Sequence, residues 1–318
     1  MMDFLLPYLP LIAYVLVLLF ITLYAVLSSI EFGIAAFMAP KNPLVSRSDV
    51  ERYFGPAWEA TNVFLIFSMV GLVMFFPSVV PALAGLYTLV STALLFFLLR
   101  VLGIFGVFYA ESDNRTFRLM FAAGSLLAPL TLSGVFNYAL TGMLPSFPPS
   151  TLLWALWGTV GSAIFMLSSS FVQHIGRVTA SATRLLQIEL AASGVFLLSA
   201  GGVLAFFPSL IEPGIAPTIV FLVIVIVTVL AVMLAERHHP FASFLVHALA
   251  VATLIFGAAL THLPYLIYPT ITIQGAFTAP EMFIAMLQVV PFGLLIAIPA
   301  IALLWHLFAR AESTSPRS

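Results

Sequence analysis

No cysteine occurs in the 318 residues, which excludes disulfides and any thiolate metal site or iron–sulfur cluster carried by this chain alone. Charge is almost as scarce. Asp, Glu, Lys and Arg make up 7% of the chain, against about a quarter in a water-soluble domain, so a water-soluble fold is excluded. Extended hydrophilic segments and polybasic tracts are also missing, which leaves no sizeable soluble domain and no patch for lipid headgroups. A formal net charge of −1 points away from nucleic acid as a partner.

What the chain does have is apolar length: 62% of its residues are hydrophobic. A hydrocarbon core of about 30 Å takes roughly 20 helical residues to cross. Apolar runs of that order fall at Leu9–Phe37, Ala57–Val80, Leu86–Tyr109, Leu119–Leu140, Leu152–Val172, Ile188–Phe207, Pro217–Leu234, Phe241–His262 and Met282–Phe308. The sequence therefore predicts an all-α polytopic membrane protein with about nine spans. The first run is longer than a signal-peptide core and has no small-residue cleavage site behind it, so it is expected to be retained.

The basic residues check that count, because cytoplasmic loops collect Lys and Arg near helix ends. Lys41, Arg47 and Arg52 follow the first span; Arg100, Arg115 and Arg118 lie at the end of the third and beyond it. Arg177 and Arg184 follow the fifth, Arg237 the seventh, and Arg310 and Arg317 the ninth. Every one follows an odd-numbered span, which predicts an N-terminus outside and a cytoplasmic C-terminus. Pro77, Pro129, Pro291 and Pro299 lie within or near spans and predict kinks, not breaks, since neighbouring helices can satisfy the freed carbonyls. The stretch from Pro264 to Pro280 is the longest outward loop, and the tail from Ala309 to Ser318 reads as a solvated end.

Ionisable residues inside spans cost a few kcal/mol each and tend to face a partner, water or a pathway. Glu31 lies about two turns from the cytoplasmic end of the first span and Glu59 in the first turn of the second, so the two should share a depth. Ser28 and Asn62 give each a polar neighbour on its own helix face. The four residues suggest a short proton path from the cytoplasm; the plainer alternative for Glu59 is a helix-start carboxylate or a pair with Arg100. Arg100 itself is expected to snorkel from the end of its helix. Glu189, Glu212 and Glu281 are expected at headgroup level. His174, His238, His239, His247 and His306 fall toward the cytoplasmic face as interfacial residues, with His262 alone near the outer one. On that reading the chain binds no haem, and no metal is assigned to it.

Four ordered blocks resemble the second subunit of cytochrome bd-type quinol oxidases. In the first span, the run from Tyr24 to Gly33, ending Glu31-Phe32-Gly33, is similar to that family's small acidic cluster followed by an apolar residue and Gly. In the second, Gly55-Pro56-Ala57-Trp58-Glu59-Ala60-Thr61-Asn62-Val63-Phe64-Leu65, with Phe76-Pro77 at its far end, is similar to the family's Pro-x-Trp-Asp-Gly-Asn-x-Val-Trp-Leu run. Gly124-Ser125, Pro129, Gly134, Asn137 and Gly142 in the fourth span make the third block, and Leu263-Pro264 with Pro269-Thr270 after the eighth make the last. Ser170 to Arg184 is a looser fifth.

The resemblance implies two four-helix bundles plus a peripheral ninth helix, with units at 1–143, 144–270, 271–309 (outer loop and ninth helix) and a tail at 310–318. It implies a non-catalytic subunit of an enzyme that couples quinol oxidation to reduction of O2 to water in a prokaryotic cytoplasmic membrane. A haem-bearing subunit I would hold haems b and d and the quinol. This subunit would bind none of them; in some members it carries a structural quinone or sits beside a small single-helix subunit. Residue by residue, Glu31 matches the second acid of its motif, Glu59 the acid after Trp58, and Ser28 stands where the first Asp would be. Gly33, Arg100, Asn137, Pro264 and Pro269 match as structural positions. Ser29, Thr61 and Phe64 also depart from the family pattern. The alternatives are an ion- or proton-coupled secondary transporter, and a scaffold subunit of another respiratory complex.

Overall fold

The computed structural model describes residues 6–40, 43–45, 47–110, 114–145, 149–175, 182–206, 215–288 and 295, with the side chains of 48, 49, 51–57, 59 and 60 left aside. Its elements are α1 (Leu9–Met38), α2 (Arg47–Phe75), a short α3 (Val80–Gly85), α4 (Tyr87–Ile104) continued by a π-helical turn (Phe105–Tyr109), α5 (Arg115–Thr141), α6 (Thr151–Ile175), α7 (Ala182–Phe206), α8 (Ile215–Glu236) and α9 (Pro240–Thr261). A small antiparallel hairpin of β1 (Tyr265–Ile267) and β2 (Ile271–Thr272) follows, then the one-turn α10 (Ile273–Ala276) and a helical segment over 280–288.

The all-α membrane architecture expected from the apolar runs is what forms. Among the described residues, seven helices are long and apolar enough to cross a membrane, and an eighth span is completed if the bent pair Thr61–Phe75 and Pro77–Gly85 counts as one. The ninth run lies mostly outside the described residues. At Pro77 the expected kink is a break: the two pieces of the second span meet at 98°. Proline has no N–H to give and its ring clashes with the preceding turn. Phe76 leaves helical geometry just before it, at φ −131° and ψ 64°. Pro129, by contrast, stays inside α5.

Helix ends follow the local chemistry. Asn114 caps α5, its side chain accepting from Thr116 N at 2.9 Å, and Gly142 ends that helix at φ +67°, where a Cβ would be disfavoured. Pro240 opens α9, a position that needs no N–H. Hydroxyls inside the spans mostly satisfy themselves on the carbonyl one turn back, as Thr22 does on Leu18 O at 2.7 Å and Ser68 on Phe64 O at 2.7 Å, so they add little polarity to the lipid face.

Helix α1 lies at the centre, packing against α2, α5, α6 and α9, while α4 pairs with α5, α6 with α7 and α8 with α9. Close approach in lipid depends on small residues. A Cβ on Gly33 would lie 1.9 Å from Ser168 Oγ, and one on Gly124 would lie 2.4 Å from the backbone N of Arg100. Gly33 therefore sets the α1–α6 contact and Gly124 the α4–α5 contact. One apolar cluster, with Ile34, Phe121, Leu167 and Phe196, fills the middle of the bundle; a second, with Tyr14, Phe76, Ile273 and Phe283, lies under the hairpin.

Candidate functional site

Glu31 and Arg100 form a buried ion pair, with Arg100 Nη2 donating to Glu31 Oε2. Their side chains are 1% and 4% exposed. The guanidinium also lies 5.1 Å from the centre of the Phe32 ring, a cation–π distance. Thr61 of α2 hydrogen-bonds the carboxylate. One and two helical turns back along α1 lie Ser28, whose hydroxyl donates to Ala25 O at 3.4 Å, and Tyr24. Tyr24, Ser28 and Glu31 thus stack on one face at helical spacing. Glu31 Oε1 and Arg100 Nε have no hydrogen-bond partner among the described residues.

Arg100 therefore does not snorkel, and its carboxylate partner among the described residues is Glu31. The reason is length. The third span runs to Tyr109, as its apolar run does, which places Arg100 nine residues, about 13 Å, inside it. Glu31 is seven residues from the end of α1 at Met38, about 10 Å, so the charges meet at one depth. Asn62 is half-buried on α2, as is Trp58, whose Nε1 has no hydrogen-bond partner among the described residues. The Glu59 side chain lies outside the described residues.

A second polar cluster has no counterpart in the sequence reading. Glu189 of α7 is fully buried, not at headgroup level. Its carboxylate accepts from Ser243 Oγ at 2.6 Å and from Gln173 Nε2 at 2.7 Å. His247 Nδ1 lies 3.5 Å from Glu189 Oε1, and Nε2 lies 3.0 Å from Ser193 Oγ. His247 too is fully buried, not interfacial. Helix α7 starts at Ala182, a full turn before the apolar run does, so Glu189 sits about two turns inside it. The available signal was periodicity: Glu189 with Ser193, and Ser243 with His247, are polar i, i+4 pairs in otherwise apolar helices. Glu281 is exposed, and Glu212 lies outside the described residues.

The last two sequence blocks meet at the opposite end of the bundle. Asn137 donates to Met143 O at 3.3 Å and accepts from Ser150 Oγ at 3.3 Å, fixing the end of α5. Tyr268 N donates to Ala139 O at 2.9 Å, and a Cβ on Gly142 would lie 2.4 Å from Tyr268 O and 3.3 Å from Pro269 Cδ. Pro264 O accepts from Ile273 N at 2.9 Å, and Thr278 N donates to Phe75 O at 2.9 Å. The loop and hairpin thus clasp the ends of α2 and α5.

The chain matches the family model "Cytochrome bd terminal oxidase subunit II" over residues 9–308. It belongs to that family. A Bacillus subtilis (strain 168) protein assigned the name cytochrome bd menaquinol oxidase subunit II is 24% identical, covering 92% of this chain and 93% of that protein. The bd oxidase structure from Geobacillus thermodenitrificans superposes with a TM-score of 0.78 at 24% identity, covering 94% of this chain and 98% of the matched one.

Within this subunit II fold, the two buried histidines among the described residues each have a partner at a ring nitrogen. His247 has both ring nitrogens facing serine hydroxyls and Glu189, so no lone pair is directed at open space where iron could bind. His262 faces Ala139 O at 3.3 Å from Nε2. His174 packs its ring 4.7 Å from Phe241, and His238 and His239 are exposed in the α8–α9 turn. His306 lies outside the described residues.

Proposed function

We propose that the chain is the haem-free subunit of a bd-type terminal oxidase that couples quinol oxidation to the reduction of O2 to water. Haems b and d and the quinol belong to subunit I; this chain stabilises that subunit and supplies part of a proton-uptake path from the cytoplasm. Family membership over residues 9–308 supports the first part, and the name of the Bacillus relative points to menaquinol as the quinol. The two four-helix bundles plus a peripheral helix, a structural quinone and a small single-helix subunit belong to the same reading, as does an outside N-terminus in a prokaryotic cytoplasmic membrane.

The observation that carries the proton path is the buried Glu31–Arg100 pair at the end of the Tyr24–Ser28 stack. Glu31 stores charge against Arg100; Ser28 and Thr61 relay protons by rotating their hydroxyls. Ser28, which replaces the family's first Asp, passes a proton without storing one. Glu59, Asn62 and Trp58 on α2 would line the entry.

Mild-detergent purification followed by a reduced-minus-oxidised spectrum tests the assembly. Haem b and d bands travelling with a second multi-helix subunit, and lost when this chain is isolated, are expected. A colourless protein purified alone would favour the transporter reading instead. In the oxidase, Glu31→Gln is expected to slow quinol-driven O2 uptake with the haem spectrum intact; unchanged turnover would remove Glu31 from the path.

A further inference from the structure

We propose that Glu189 and His247 are a second proton-binding site of this subunit, holding one proton between them and exchanging it past Gln173. The argument is a count of hydrogens. Ser170 gives its hydroxyl hydrogen to Met166 O at 2.9 Å, and Ser193 gives its own to Glu189 O at 2.8 Å. Ser243 gives its hydrogen to Glu189 Oε1 at 2.6 Å. Each serine has a single hydrogen, which can turn between acceptors, so with the three placed on these oxygens none is left for the ring.

In that arrangement the imidazole faces oxygens with nothing left to give. Nε2 faces Ser193 Oγ at 3.0 Å. Nδ1 faces Ser243 Oγ at 3.3 Å, Ser170 Oγ at 3.5 Å and Glu189 Oε1 at 3.5 Å. A neutral ring has one N–H and one lone pair, and here that lone pair meets another unless Ser193 or Ser170 turns its hydrogen away from its carbonyl. One added proton removes the conflict in either of two ways. On His247 it makes both nitrogens donors. On Glu189 Oε1 it is donated to Ser243 Oγ, whose own hydrogen then turns to Nδ1.

Charge gives the same answer independently. A carboxylate beside a neutral imidazole leaves one negative charge fully buried, which is far more costly than a neutral pair. Among the described residues Glu189 has no Lys or Arg partner; its ion-pair partner is His247. The site is built from α6, α7 and α9, whose other ionisable groups are the exposed His174 and Arg184. Glu31 and Arg100 neutralise each other beyond α6.

Gln173 is the way in. It is half-buried, sits two residues from the end of α6, and donates to both Glu189 Oε2 at 2.7 Å and Ser169 O at 3.2 Å. Its rotation would open the carboxylate to water at that end of the bundle.

Infrared and nitrogen-15 histidine NMR spectra of the purified, isotope-labelled protein test the site at neutral pH. The expected result is one of two signatures. Either a carboxylic C=O stretch shifts in heavy water and vanishes in Glu189→Gln, or a doubly protonated imidazole signal vanishes in His247→Gln. The deuterium shift of the unsubstituted protein keeps the test open if Glu189→Gln fails to fold. An ionised carboxylate beside a singly protonated ring would overturn the proposal. So would a carboxylate band that moves when sodium replaces choline, since the ligand would then be a metal cation. Gln173→Leu is expected to slow deuterium exchange severalfold, and an unchanged rate would overturn the route. None of these signals involves haem, so they stand or fall separately from the oxidase reading.

Discussion

Arg100 and Glu31 are each buried to within a few per cent, and removing one partner of such a pair leaves the other as an uncompensated charge. Loss of that kind typically costs about 3–5 kcal/mol, whereas replacing both with apolar or neutral groups of similar volume costs much less. Arg100→Met is therefore expected to lower the melting temperature of the purified protein more than Glu31→Gln with Arg100→Met does. Additive losses would mean that the two charges do not depend on each other. At this scale the sequence was half legible. Glu31 stood out because it is an acid in an apolar run, but Arg100, Glu189 and His247 were assigned to the interface. Glu189 lies deep because α7 begins at Ala182, in polar turns that contribute nothing to hydropathy, whereas Arg100 and His247 lie within their apolar runs and are buried by partners on other helices.

At the scale of the helix pair, Gly33 and Gly142 make different predictions. A Cβ at Gly33 would lie 1.9 Å from Ser168 Oγ and 2.2 Å from Ser168 Cβ, so Gly33→Ala must push α1 from α6 at an overpacking cost of about 1–3 kcal/mol. Thermal melts should show the loss and its recovery in the double variant with Ser168→Gly; no recovery would place the strain elsewhere. At Gly142 the backbone itself is at φ +67° and faces Tyr268 O. Gly142→Ala is expected to cost at least about 1–2 kcal/mol, and no single second change should rescue it. Element existence was readable because an apolar run of span length has few alternatives. Element ends were not: α2 begins ten residues before its apolar run and breaks at Phe76, and the hairpin's strands are too short to carry a periodic signal.

For the whole molecule the alternation of basic loops makes a claim about sidedness, and the absence of cysteine makes it simple to test. A single cysteine placed at exposed Thr270, or at exposed His238 in the α8–α9 turn, would be the sole thiol in the protein. Thr270→Cys is expected to react with a membrane-impermeant maleimide on intact cells, and His238→Cys only after permeabilisation. The reverse pattern would invert the topology. The global fold was the most legible level, because the bilayer allows little except helices of span length. The way its halves meet was not, since both buried clusters and the clasp join residues far apart in the chain.

That clasp has a consequence for biosynthesis. The end of α5, with Asn137 and Gly142, is held by Tyr268, which is made much later. At the usual rate of about 5–20 residues per second, the stretch between them takes roughly 6–25 s to leave the ribosome. Through that interval the first spans sit in the bilayer with the acceptor Ala139 O and the Phe75 O still waiting for their donors. The newborn chain is thus open at one end while Gly124 already lets α4 and α5 close at the other, and insertion of the last loop becomes the step that commits the bundle.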